Sequence, residues 1–74
     1  MNCIITLPSM THAQNARERL LAHGIASGVI RLPQGLSQEG CAWGISLDCR
    51  HADEGQKVLS LSNLPFRKVI RGGD

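Results

Sequence analysis

Hydrophobic and polar positions along this chain follow two different periods, and each period predicts a type of element. A short apolar, β-branched run at residues 2–7 stops at Pro8 and predicts a strand. Residues 25–32 alternate in polarity and predict a second strand, which closes at Pro33. From position 41 onward, apolar side chains occupy the odd positions and small or polar ones the even positions. This alternation predicts a third strand that turns one face towards a core.

Two further segments have helical character. Ala13, Ala16 and Leu20 recur about one turn apart, which predicts an amphipathic helix that covers a sheet. We expect this helix to begin at a capping box that Thr11 opens and to end at Gly24, where glycine adopts the left-handed conformation of a C-cap. Residues 51–62, with acidic side chains early and apolar ones later, predict a second helix.

The last predicted element is a strand over residues 66–71, which follows a helix stop at Pro65. Its basic residues, Arg67, Lys68 and Arg71, suit an edge strand, where positive charge discourages sheet-to-sheet aggregation. Phosphate binding by the same cluster is the alternative interpretation.

The resulting order, βαββαβ, predicts an α+β fold of the ferredoxin-like two-layer type, with an antiparallel sheet in the order 4-1-3-2. We expect one domain over residues 1–71 and a flexible tail at 72–74. The even positions of the third strand, Ala42, Gly44 and Ser46, predict a flat, small and polar sheet face that is open to water or to a partner.

Composition narrows the function classes. A chain of 74 residues has room for one small core, so an enclosed substrate pocket is not expected. The formal charge is only +2 and the basic residues are dispersed, which does not suit a nucleic-acid binder. The apolar start is too short for a membrane span or a signal-peptide core, so we expect a cytoplasmic protein. Three cysteines, an odd number, favour reduced thiols over a disulfide framework.

Cys41 is the residue most suited to chemistry. In the predicted sheet the end of the first strand lies beside the start of the third, which places Cys41 near the first helix N-terminus and His12. A thiol in such a setting has a lowered pKa and becomes nucleophilic. The alternative is that Cys41 is a small buried hydrophobe. Cys3 and Cys49 fall at the opposite end of the same strands and are expected to pack as core residues.

Several short pieces in fixed order resemble the putative selenium/sulfur carrier protein-like family, over nearly the whole chain. They are the segment 6–13, Thr-Leu-Pro-Ser-Met-Thr-His-Ala, followed by Leu32-Pro33, Leu36-Ser37 and Gly40-Cys41. The family cysteine is often followed by glycine, whereas here Ala42 follows it and Trp43 precedes Gly44.

The resemblance implies that Cys41 holds a persulfide or selenopersulfide and passes it to a partner enzyme. The implied supporting residues are Ser9, Thr11, His12, Pro33 and Gly40. The implied partners are a donor such as a cysteine desulfurase and an acceptor enzyme. No cofactor or metal site is expected, because the cysteines and histidines lack ligand spacing. The competing hypothesis is a protein-interaction or small-ligand regulatory module that uses the open sheet face, with a second copy of the chain as one partner.

Overall fold

A computed structural model describes residues 2–32 and 42–71 of the chain. Pro33, Gly40, Cys41 and the predicted tail at 72–74 lie outside these residues. The described elements are, in chain order, β1 (Asn2–Leu7), α1 (Met10–Ala22), β2 (Ser27–Arg31), β3 (Trp43–Asp48), α2 (Ala52–Leu61) and β4 (Val69–Arg71). The predicted element order βαββαβ is confirmed.

The strands form one antiparallel sheet in the order β2-β3-β1-β4, which is the predicted order 4-1-3-2 read from the other edge. In the central pair, Leu7 lies opposite Trp43 and Asn2 lies opposite Asp48. The end of β1 is therefore adjacent to the start of β3, as expected. None of the helices in the described part of the chain is long and apolar enough to cross a membrane.

The sheet face that carries the odd-numbered residues of β1 and β3 packs on both helices and forms the main core. A glycine inside α2 makes this packing possible: Gly55 is buried, and a Cβ there would lie 3.2 Å from Leu47 Cδ1. The loss of helix propensity at Gly55 is thus offset by close approach of α2 to the sheet. The buried residues of this core are Cys3, Ile5, Leu7, Ala13, Ala16, Leu20, Ile25, Ile45, Leu47, Ala52, Val58 and Leu59.

The opposite sheet face, here called the open face, has an apolar centre, so the prediction of a polar surface is wrong there. Ile4 and Leu32 are buried there, with Ile30 and Ile70 half-buried beside them. The small residue Gly44 on β3 provides the space, since a Cβ at Gly44 would lie 3.0 Å from Ile4 Cγ2 and 3.2 Å from Leu32 Cδ2. The small residue on β3 therefore does not mark a polar surface. It marks a place that aliphatic side chains of the neighbouring strands fill.

Helix α1 begins two residues before the predicted capping box. Ser9, not Thr11, is the N-cap, and its side chain accepts the His12 backbone N–H. Thr11 lies in the first turn and is exposed. The C-terminus agrees with the prediction, because His23 is the C-cap and Gly24 follows it with φ +78°.

Strand boundaries are shorter than the polarity pattern indicated. The predicted second strand began at Ile25, but the Ile25 backbone N–H donates to Leu20 O at 2.9 Å and closes the end of α1. The predicted last strand began at Phe66, but regular pairing starts at Val69. Before it, Lys68 N–H donates to Thr6 Oγ1 at 3.0 Å, so the Thr6 side chain replaces a strand ladder bond. β4 is an edge strand, as predicted.

Cys3 and Cys49 form a disulfide, so the expectation that they are reduced packing residues is wrong. The two Cα atoms lie 4.9 Å apart, although 46 positions separate them in sequence. Cys3 begins the core side of β1, and Cys49 opens a single 3-10 turn, Cys49–His51, after β3. The disulfide ties the chain together at the end of the sheet farthest from Leu7 and Trp43.

Candidate functional site

The candidate site is the end of the sheet where β1 stops and β3 starts. Leu7, the last residue of β1, pairs with Trp43, and the Leu32 N–H donates to Ala42 O at 2.9 Å. Ala42 is the described residue next to Cys41 in sequence. The topology on which the Cys41 hypothesis depends is therefore confirmed, while the position of Cys41 itself stays a prediction.

The N-terminus of α1 faces this end of the sheet, because Leu7 and Met10 are separated only by Pro8 and Ser9. The Ser9 hydroxyl oxygen accepts the His12 backbone N–H at 3.1 Å and lies 2.7 Å from His12 Nδ1. Since that oxygen already accepts a backbone N–H, its own hydrogen is available to donate to Nδ1. In the tautomer that accepts this hydrogen at Nδ1, the Nε2–H is a donor at the helix start.

Two of the predicted supporting residues thus act as a pair, and a third does not join them. His12 is half-buried and is held by Ser9, whereas Thr11 is exposed and its side chain makes no hydrogen bond among the described residues. Pro33 and Gly40 lie outside the described residues. The described candidate site therefore consists of Ser9, His12 and the first backbone N–H groups of α1.

Charge is divided unevenly between the two ends of the sheet. Arg31 pairs with Trp43, while Arg67 and Lys68 bond through their backbones to Thr6. These three exposed residues, here called the cationic end, lie beside the candidate site. They make no ion pair within the described segments 2–32 and 42–71.

Both ion pairs found among the described residues belong to the opposite end of the sheet. Arg50 pairs with Asp48 at 3.4 Å, and Arg71 pairs with Asp53 at 3.3 Å. No acidic residue occurs in the first turn of α1. The end of the sheet at which α1 starts therefore attracts anions. Cations that make no ion pair with a described residue and the positive end of the helix dipole act together there.

One contact at the cationic end was not predicted from the sequence. The Arg31 guanidinium carbon lies 5.8 Å from the centre of the Trp43 ring, within cation–π range. The pairing of Arg31 with Trp43 depends on the register across the β2–β3 connection, which the polarity pattern does not determine. The presence of a basic residue near the end of β2 and a tryptophan at the start of β3 was the only signal.

This arrangement can stabilise an anion chemically but offers no described metal centre. The α1 N-terminus offers backbone N–H donors, and His12 offers another at Nε2 in the tautomer that accepts from Ser9. A thiolate or perthiolate is an anion of the kind these donors favour. Within residues 2–32 and 42–71 no group of three or more His, Cys, Asp or Glu side chains could hold a metal ion.

The two cysteines of the disulfide are remote from this site. They lie at the Asn2 and Asp48 end, separated from Leu7 and Trp43 by the six-residue length of both central strands. That length corresponds to roughly 17 Å at the rise of an antiparallel strand. Cys41 is the one cysteine outside the Cys3–Cys49 disulfide.

A comparison with protein families gives one match. A family model described as putative Se/S carrier protein-like matches residues 2–71. The match spans every described element and the position of Cys41, which confirms the resemblance drawn from the short sequence pieces. No curated protein and no solved structure matches the chain.

Proposed function

Since the chain belongs to the putative Se/S carrier protein-like family, we propose that it carries sulfur or selenium on Cys41 and delivers it to an acceptor enzyme. The family match over residues 2–71 carries this proposal. The anion-attracting end of the sheet supports it, because both resting and loaded forms of a carrier cysteine are anions. A chain of 74 residues, with room for one small core, suits a carrier better than an enzyme.

The proposed transfer needs no external oxidant or reductant. The Cys41 thiolate attacks the outer sulfur of a persulfide on a donor such as a cysteine desulfurase. The donor S–S bond breaks, its cysteine leaves as a thiolate, and a new S–S bond forms on Cys41. The acceptor's nucleophile then attacks the outer sulfur, and Cys41 leaves as a thiolate. The selenium reaction differs only in the transferred atom.

Within this proposal, Ser9 and His12 stabilise the thiolate and perthiolate. Ser9 holds the imidazole so that Nε2–H is the donor, and the α1 N-terminus adds its positive end. Thr11, Pro33 and Gly40 are assigned supporting roles through the family resemblance alone.

We further assign the chain to the ferredoxin-like fold, on the basis of its βαββαβ order and its β2-β3-β1-β4 antiparallel sheet. We place the carrier in the cytoplasm. The Cys3–Cys49 disulfide weighs against that location, because structural disulfides are rare in reducing compartments. Alkylation of thiols in intact cells, followed by mass spectrometry of the Cys3 and Cys49 peptides, tests the location. Alkylated Cys3 and Cys49 favour the cytoplasm, and unmodified, disulfide-linked peptides favour an oxidising compartment.

The carrier function is tested by alkylating the unreduced protein with iodoacetamide over a range of pH and reading Cys41 by peptide mass spectrometry. We expect Cys41 to react with a midpoint clearly below the roughly 8.5 of a free thiol. We also expect it to gain one sulfur atom after incubation with a persulfide-loaded desulfurase. A free-thiol midpoint together with no uptake of sulfur contradicts the proposal.

Matched variants show whether the effect belongs to the site. We expect His12→Gln to raise the alkylation midpoint, while His23→Gln, a change at the exposed C-cap of the same helix, leaves it unchanged. Cys41→Ser abolishes sulfur uptake. Association with a partner that survives Cys41→Ser, with no sulfur uptake by the wild type, favours the interaction-module hypothesis instead.

A further inference from the structure

The open face is an apolar surface that no described helix covers. Both helices pack on the other side of the sheet. On the open face, Ile4 and Leu32 are buried by their neighbours, while Ile30 and Ile70 remain partly exposed. Gly28 adds open space next to them, since a Cβ there would meet nothing within 4 Å. The centre of this face is therefore a nearly flat aliphatic surface that a partner can contact.

The border of the open face is charged on one side only. Lys68, opposite Thr6, lies on the neighbouring edge, and Arg31, which stacks on Trp43 on the helix side, lies at the same end of the sheet. Together with Arg67 these residues form the cationic end, which lacks a described counter-ion. At the far border, Asp48 is already paired with Arg50. An apolar centre bordered by cations that lack a described ion-pair partner has the composition of a protein-binding surface rather than of a solvated sheet.

We propose that the open face and the cationic end form the docking surface for a partner protein that presents an apolar patch bordered by Asp and Glu. The proposal rests on the proposed function in one respect: the partner is the donor or acceptor enzyme. Carboxylates on the partner approach Lys68 beside this face and Arg31 and Arg67 at the adjoining end of the sheet, and its apolar patch covers Ile30 and Ile70. Docking there brings the partner to the end of the sheet at which α1 begins.

The size of the surface suits a short-lived complex. The four strands have 6, 5, 6 and 3 residues. At about 4.8 Å spacing and about 3.4 Å rise per residue they give a footprint of roughly 330 Å². Stable complexes bury about 800 Å² on each partner, and transient encounters bury less. A carrier must release each partner after transfer, so a small interface with electrostatic steering is appropriate.

Charge and composition argue against two other occupants. A second copy would bring another cationic end, while Asp48 on the same surface is already neutralised by Arg50. A nucleic acid would neutralise the cations but would leave the aliphatic centre without a matching surface. Single-stranded nucleic acids are bound through aromatic stacking. The chain has only Trp43 and Phe66 as aromatic residues, and both pack against the core on the helix side.

The proposal is tested with three synthetic peptides, each titrated into isotope-labelled protein and followed by NMR. The first has a Leu-Leu-Ile centre flanked by glutamates, the second has the same centre flanked by lysines, and the third has a serine centre flanked by glutamates. We expect only the first to shift the amides of Gly28 and Ser46, which lie opposite each other on the open face. Binding should weaken about tenfold or more when salt is raised well above physiological strength.

Two triple charge reversals give a matched comparison. Reversal of the cationic end should weaken binding of the first peptide about tenfold and favour the lysine peptide. Reversal of three exposed helix residues changes the net charge equally and should leave binding unchanged. The first set is Arg31→Glu, Arg67→Glu and Lys68→Glu; the second is Arg17→Glu, Arg19→Glu and Lys57→Glu.

Several results would overturn the docking surface. These are equal binding of all three peptides, no shift of the open-face amides, equal shifts of those amides by an oligothymidine, or dimerisation through the open face in sedimentation without peptide. Cys41→Ser should leave peptide binding intact. Loss of the carrier function and loss of the docking surface are therefore distinguishable, because sulfur uptake reports on the first and peptide binding on the second.

Discussion

The Ser9 hydroxyl oxygen lies 2.7 Å from Nδ1 of His12 and 3.1 Å from the backbone nitrogen of the same residue. One side chain therefore caps α1 and orients the imidazole. The two roles of Ser9 can be tested with one substitution. Its stability effect and its effect on the His12 tautomer are measured separately, by unfolding and by NMR.

Replacement of Ser9 by Ala should lower the free energy of unfolding by about 1 kcal/mol, because the His12 N–H loses its acceptor. It should also release the imidazole, so that both neutral tautomers become populated. Urea unfolding measures the first effect. The nitrogen chemical shifts of the His12 ring measure the second.

Thr11→Ala is the matched control for Ser9. Thr11 is exposed in the first turn, and its side chain makes no hydrogen bond among the described residues. We expect a change within about 0.5 kcal/mol and an unaltered His12 tautomer. A larger loss for Thr11→Ala than for Ser9→Ala would instead support a capping box at Thr11.

The Cys3–Cys49 disulfide should contribute a large part of the stability of this small domain. The bond closes a loop with a sequence separation of 46, for which the chain-entropy model gives about 4 kcal/mol. We expect Cys3→Ala combined with Cys49→Ala to lower the free energy of unfolding by about 2–4 kcal/mol. Urea unfolding measures this, in a Cys41→Ser background that prevents disulfide exchange.

Dithiothreitol provides the control for the disulfide. It should lower the unfolding midpoint of the Cys41→Ser protein and leave the variant without Cys3 and Cys49 unchanged. If reductant does not alter the midpoint of the Cys41→Ser protein, the two thiols are not linked, and their contact is packing alone.

The sequence predicted what depends on local pattern and chain order. The run at 2–7, the glycine stop at Gly24 and the alternation in the third strand all correspond to observed features. The order βαββαβ then restricts the sheet to few topologies, because connections are short and right-handed. This reasoning brought the end of β1 next to the start of β3, where the candidate site lies.

The wrong predictions have two causes. Some depend on contacts between side chains that are distant in sequence, and one depends on two neighbouring side chains that compete to cap the same helix. Ser9 and Thr11 both suit a cap, and choosing between them requires the path of the chain after Pro8. The open face was interpreted from β3 alone, although its character comes from Ile4, Leu32 and their neighbours across the strands. Cys3 and Cys49 were placed at the same end of the central strands, but a shared position in the sheet does not tell packing from a covalent bond.

Acid should weaken the protein partly through Asp48. Its Oδ1 accepts the Arg50 backbone N–H at 3.0 Å, and this bond, aided by the Arg50 guanidinium, holds the pKa of Asp48 below its ordinary value of 3.8. A lowered folded-state pKa means that the carboxylate stabilises the protein above about 3.8, and that this contribution is lost as pH falls through the lower folded value.

Asp48→Asn tests this, since asparagine retains the capping geometry without the charge. We expect the difference in unfolding free energy between wild type and variant to be constant near neutral pH and to shrink below about pH 4. Urea unfolding at a series of pH values measures it. A difference that stays the same down to about pH 2 would show that Asp48 titrates alike in both states.

Gly44 should tolerate no side chain, whereas Gly28 should, although both face the same side of adjacent strands. A Cβ at Gly44 would lie 3.0 Å from the Ile5 carbonyl oxygen, which cannot move without breaking the sheet. We expect Gly44→Ala to cost about 1–3 kcal/mol in unfolding free energy, as overpacking does. Gly28→Ala meets no atom within 4 Å and removes chain entropy from the unfolded state, so it should be neutral or stabilising. Equal effects of the two substitutions would mean that Ile4 and Leu32 do not close over Gly44, and that the open face lacks the tightly packed aliphatic centre on which docking depends.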